Sequence, residues 1–331
     1  MSKMAQAPTE FLVQEPFQTR MLDVGDGHSL YVAEFGNPNG FPVIYLHGGP
    51  GGGHNPAWQK YFDPEFYHII LFDQRGCGKS LPFAEINHNT AKHLIDDVEK
   101  IRKELHIEKW VVGGGSWGSA LAMMYADQYP QYVQHIILRG VFFATKKGGA
   151  HIAEENGAVP YDAKYFEQYR DLIPPDVRAR DGLIKSYDRI MKEGSSDEQL
   201  EAAKRFMIWD VSIAFSKIES ALSSIDAIAA NPRNEIPITR IYMHYCLHEF
   251  DDDNRQKFLT SPALKTIPMD IVHGRHDRIC PVQNAMDLHQ AYPNSVLHIC
   301  EDAGHNGMEG SIVSETVKVS EKIKMRLQAL E

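Results

Sequence analysis

The chain has 331 residues, 43% of them hydrophobic and 24% charged, a balance ordinary for a folded protein that excludes wholesale disorder and fibrous repeats. Its 34 Lys and Arg stand against 44 Asp and Glu, and the net charge of −10 offers no basic surface for nucleic acid or anionic lipid. No run of 18 apolar residues suits a membrane span, residues 1–20 lack the apolar core of a secretion signal, and Cys77, Cys246, Cys280 and Cys300 are too few and too scattered for a disulfide framework. The expectation is a soluble cytoplasmic protein with reduced thiols and no nucleic-acid or membrane partner.

Short apolar runs bounded by Gly, Pro and Asp predict buried strands, the first at 42–47 and the second at 68–73. A helix follows over 90–105, where Leu94, Ile95, Val98, Ile101 and Leu105 make one apolar stripe and Asn89 or Thr90 caps the start. Strands at 110–115 and 135–140 flank a helical run at 120–129. From 141 to 245 the strand pattern stops, and helical stretches appear at 161–172, 177–192 and 197–218. Strands resume at 269–274 and 295–301, before a closing helix over 311–330 whose Ile312, Val313, Val317, Ile323, Leu327 and Leu330 face a core. The acidic run at 251–253 reads as a solvated face and not as a metal site.

Strands alternating with helices predict an α/β fold with a mostly parallel central sheet covered on both faces. Residues 1–140 and 246–331 form its core, and 141–245 form an inserted helical cap. In such sheets ligands gather beyond the carboxyl ends of the strands, so chemistry belongs just after each strand.

Gly114, Gly115, Ser116, Trp117 and Gly118 make a GxSxG between the strand at 110–115 and the helix at 120–129. A sharp strand-to-helix turn leaves no room for side chains beside the serine, and the helix N-terminus behind it favours developing negative charge. Ser116 is the candidate nucleophile. Its oxyanion needs fixed N–H donors, for which the Trp117 amide and the Gly49 amide, in HGGPGGG at 47–53, are the candidates, with Gly48 close behind. In a sheet of this kind the acid and then the base follow the serine along the chain. Asp277 follows the strand at 269–274, and His305 follows the strand at 295–301, 28 residues later; His276 and Asp302 are their rivals. The segment 73–80 fails as a phosphate loop because Asp73 stands where glycine is needed, and it reads as a structural turn with Asp73 and Arg75 in local pairing.

Taken together, HGGPGGG at 47–53, FDQRGCGKS at 72–80, GGSWGS at 114–119, LRG at 138–140, HGRHD at 273–277, CPVQNAMDLH at 280–289 and AGH at 303–305 resemble the proline iminopeptidase family of α/β-hydrolases. The resemblance implies an α/β-hydrolase fold, no metal or organic cofactor, and removal of an N-terminal residue, typically proline, from small peptides. It also implies two cap glutamates that receive the substrate's free amine. At those positions this chain has Asp210 after Trp209, and Tyr242 after Ile241. Asp210 and Tyr242 therefore become the substrate-binding candidates, with Glu219 and Glu249 as alternative acids and with Phe142 and Phe143 as an apolar wall for a pyrrolidine ring. The expected function is a serine hydrolase acting on the amino end of small peptides. A small-molecule esterase or amidase with the same triad is the alternative, and an inactive binding protein on the same scaffold the third.

Overall fold

The computed structural model describes residues 9–158, 160 and 162–329. Eight strands form one sheet among them: β1 (Gln18–Gly25), β2 (His28–Gly36), β3 (Phe41–Leu46), β4 (Tyr67–Phe72), β5 (Trp110–Gly115), β6 (Val133–Arg139), β7 (Met269–Gly274) and β8 (Val296–Cys300). Their order across the sheet is β1-β2-β4-β3-β5-β6-β7-β8, parallel from β4 through β8 and antiparallel at β1 and β2. The six parallel strands are the six predicted, within two residues at each end.

The antiparallel hairpin is a correction. Only Leu22 of β1 is buried, so this edge strand carries no apolar run. Its readable mark is the Asp26–Gly27 turn, where both residues have positive φ (55° and 79°), the conformation a two-residue hairpin demands.

Eleven helices surround the sheet among the described residues: α1 (Ala91–Glu104), α2 (Trp117–Gln128), α3 (Lys146–Ala153), α4 (Ala163–Arg170), α5 (Pro175–Glu193), α6 (Ser196–Ala214), α7 (Leu222–Ala230), α8 (Ile236–His248), α9 (Asp253–Thr260), α10 (Gln283–Ala291) and α11 (Ile312–Gln328). Thr90 caps α1 through the His93 amide, and Leu94, Ile95, Val98 and Ile101 bury the predicted stripe, each contributing about 1.5–3 kcal/mol.

Helices α3 to α9 all lie between β6 and β7, and no strand interrupts them among the described residues. α8 continues through residue 245, the expected cap boundary, as far as His248. The helix expected over 177–192 bends at Gly182 (φ 72°), where the Glu154 carboxylate accepts the Leu183 and Ile184 amides and restarts the turn. All four cysteines are buried and unpaired. Leu330, and Tyr161 at the expected start of one helix, lie outside the described residues.

Candidate active site

Ser116 lies at the junction of β5 and α2 with φ 58° and ψ −127°, a strained conformation for a residue with a side chain. The flanking glycines make that turn buildable. A Cβ on Gly114 would lie 2.1 Å from the Gly118 carbonyl oxygen, and one on Gly118 would lie 2.0 Å from that of Leu46. The turn therefore presents Ser116 at the N-terminus of α2, and Ser116 lines a cavity of about 320 Å³ at the strand ends.

The glycine-rich loop after β3 passes over this serine. A Cβ on Gly48 would sit 3.0 Å from the Ser116 Cβ, and Gly49 has φ +110°, which only glycine adopts freely. Neither the Gly49 nor the Trp117 amide donates to another group among the described residues. The loop is held from beneath by Gln74. Its amide donates to His47 Nε2 and its side chain to the His47 carbonyl, both at 2.9 Å, while its Oε1 accepts the Trp117 indole N–H. Burial pulls His47 down to about 4, so a neutral ring donates from Nδ1 to the Gly48 carbonyl. The turn after β4 is thus scaffolding, but not through mutual pairing: Asp73 accepts from His54 and Lys79, and Arg75 forms a two-pronged pair with buried Asp97.

Asp277 and His305 meet as predicted, Nδ1 to Oδ2 at 2.7 Å. The other carboxylate oxygen accepts the Ile279 and Cys280 amides, fixing the acid's orientation. His273 completes this shell. Its Nδ1 accepts the Val141 amide, leaving its Nε2–H for the Cys280 carbonyl at 2.8 Å and for Asp277 at 3.3 Å. Burial raises Asp277, yet His305 and His273 outweigh it and hold the carboxyl well below its usual range. For His305 burial dominates and lowers the imidazole, against the opposing pull of Asp277, so the ring is a free base at neutral pH. Gly140 lies against the pair: a Cβ there would be 2.9 Å from the His305 ring. The rivals fall away, because His276 is exposed and Asp302 receives Ser311 on the surface.

The inserted helices reach the same cavity. The His305 and Asn306 amides both donate to the Ala214 carbonyl at the end of α6, and Glu309 ties the Gly304 amide to Ser216. One turn before that end, Asp210 lines the cavity with Tyr242. Burial pushes the Asp210 carboxyl up to about 7, assisted by repulsion from Glu235 and Asp277. Glu235 ends a 3₁₀ turn (Pro232–Glu235) packed against α6, is itself raised by burial, and was not anticipated. Neither carboxylate has a cation within ion-pair distance among the described residues.

Of the other expectations for recognition, Tyr242 keeps its place on the cavity wall, while the remaining ones are corrected. The Tyr242 hydroxyl donates to the Gly149 carbonyl, so the side chain offers the cavity its ring and not a polar tip. Glu249 accepts the Ala91 amide and Glu219 is exposed. Phe142 packs on Phe250 and Phe143 on Phe258; both border a separate cavity of about 230 Å³, divided from the serine's by Ile279. Strand-end position alone suggested them, and the chain turns them away from Ser116.

Residues 42–310 match the family described as the alpha/beta hydrolase fold. A proline iminopeptidase of Arabidopsis thaliana is 39% identical over 94% of this chain and 80% of its own length, and one of Xylella fastidiosa (strain Temecula1) is 39% identical over 89% and 92%. The chain belongs to the proline iminopeptidase family of α/β hydrolases. A putative aryl esterase from Burkholderia cenocepacia superimposes with a TM-score of 0.62 at 17% identity, covering 94% of this chain and all of the other, which establishes the shared fold alone. Against the family's pattern the departures at Asp210 and Tyr242 stand out; Glu235 lies close enough to Asp210 to raise it, but does not line the serine's cavity.

Proposed function

We propose that the protein is a serine aminopeptidase releasing an N-terminal residue, proline foremost, from small peptides. Ser116 Oγ attacks the carbonyl of the first residue while His305 takes its proton and Asp277 holds the resulting imidazolium. The oxyanion draws on the Gly49 and Trp117 amides. Collapse of the tetrahedral intermediate breaks the peptide bond, His305 returns the proton to the leaving amine, and water then hydrolyses the acyl-serine by the same base. Asp210 and Glu235 receive the free amino end.

The observation carrying this reading is Asp210, a half-buried acid without a counter-cation on the wall of the serine's cavity, together with Glu235, close enough to repel it. Such a pair is electrostatically incomplete until a cation enters. The test is hydrolysis of a proline arylamide with a free amine, compared with its N-acetylated form and a short-chain aryl ester. A free-amine preference above about a hundredfold is expected, the range a lost ammonium–carboxylate pair produces. Cleavage of the ester alone would overturn the reading in favour of a small-molecule esterase or amidase, which the aromatic wall of Tyr242 in place of an acid favours.

A further inference from the structure

Arg139, the last residue of β6, connects the nucleophile to the base. Its backbone carbonyl accepts the Ser116 amide at 2.9 Å, and its Nη1 donates to the His305 carbonyl. The side chain is only 7% exposed, its Nε has no hydrogen-bond partner, and no carboxylate lies within ion-pair distance of it among the described residues. Space for it comes from absent side chains: a Cβ on Gly115 would lie 2.2 Å from the guanidinium and one on Gly307 3.3 Å from Nε. Tyr45 and Tyr61 lie near it as well. Burying a guanidinium with no carboxylate partner is unfavourable for folding, and arrangements of that kind concentrate at sites of chemistry.

We propose that Arg139 is a positioning residue of the acyl-transfer machinery, whose carbonyl sets the Ser116 backbone, whose guanidinium sets the His305 loop, and whose uncompensated charge opposes that of Asp277 across the imidazole. The inference rests on the roles given to Ser116 and His305, not on the identity of the substrate. During acylation the imidazolium forms between a carboxylate that attracts it and a guanidinium that repels it. Burial already keeps the base in its free form against the pull of Asp277, and the Arg139 charge adds to that bias, favouring the form that accepts the serine proton. The charged and titratable groups around His305 are Asp277 and His273 from the β7 side, Arg139 from β6, Asp210 from α6, and Glu309, which holds the preceding amide.

The test uses the full chain and a fluorophosphonate that modifies Ser116 without reference to any natural substrate. Its rate is followed against pH in wild type, Arg139→Gln and Arg139→Lys, with thermal unfolding recorded for each. Arg139→Gln is expected to move the acid limb up by about one pH unit, as removal of a nearby like charge does. Arg139→Lys, which keeps the charge and lacks the fork, is expected to hold the limb within about 0.3 unit while the plateau slows about tenfold. An Arg139→Gln enzyme that loses rate with its limb in place would reduce Arg139 to a structural strut. Should that variant not fold, a limb displaced by more than about half a unit in Arg139→Lys would overturn the proposal equally. Absence of peptidase activity would leave all of these readouts intact.

Discussion

The cavity has two walls built on different principles. On the sheet side, backbone geometry selects the residues: Ser116 holds a left-handed turn, Gly114 and Gly118 admit no Cβ, and a Cβ on Gly274 would lie 2.0 Å from the Gly304 carbonyl oxygen. On the side of the inserted helices, side chains carried on otherwise regular helices make the wall, as Asp210 does on α6 and Tyr242 on α8. Backbone constraints tolerate almost no substitution, whereas an acid on a helix can be exchanged for one on a neighbouring turn with the fold intact. Bond-breaking chemistry is therefore held in place while recognition is free to move, as it does if Glu235 takes the role of the acid that position 242 lacks.

The largest effects fall on the sheet side and ignore the substrate. Ser116→Ala is expected to reduce turnover of free-amine arylamide and aryl ester alike by about 10⁴-fold or more, with the melting temperature within a few degrees of wild type. Asp277→Asn is expected to cost about 10⁴-fold through the wrong His305 tautomer. Residual activity within tenfold of wild type in either variant, measured with purified protein, would remove the triad assignment. Asp210→Asn and Glu235→Gln should separate the two walls: each is expected to lower kcat/KM for the free-amine substrate by about 30- to 1000-fold, with little change on the ester. Equal losses on both substrates would show that these acids support the fold and not the amine.

The same division explains what could be read from the chain alone. Ser116, Asp277 and His305 were legible because glycine spacing and strand ends are local patterns, and chain order, a preceding glycine and a strand end together single out His305 among sixteen histidines. The parallel strands were legible because both faces are buried, leaving continuous apolar runs. β1 was not, because one buried residue in eight makes no run. Glu235 and Arg139 escaped for a different reason: the neighbours that matter lie far away in sequence, α6 for the first and the His305 loop for the second. Phe142 and Phe143 misled because position along a strand says where a residue emerges, not which side of Ile279 its ring occupies.

The smallest expected effect is a pH dependence that only the helical wall should show. Burial, helped by Glu235, places the Asp210 carboxyl at about 7. Below that pH it is protonated and offers an ammonium no charge; above it the anion is present and binding strengthens. The ester needs only neutral His305, whose lowered titration puts its limb at more acid pH. The ratio of kcat/KM for free amine over ester should thus rise about tenfold from pH 6 to pH 8, following the ionised fraction of a single group titrating near 7. In Asp210→Asn the ratio should rise less over that interval, because Glu235, also raised by burial, is then the acid left on that wall. A ratio that is flat in the wild type would mean that Asp210 does not change charge in step with binding and that the amine finds its partner elsewhere in the cavity.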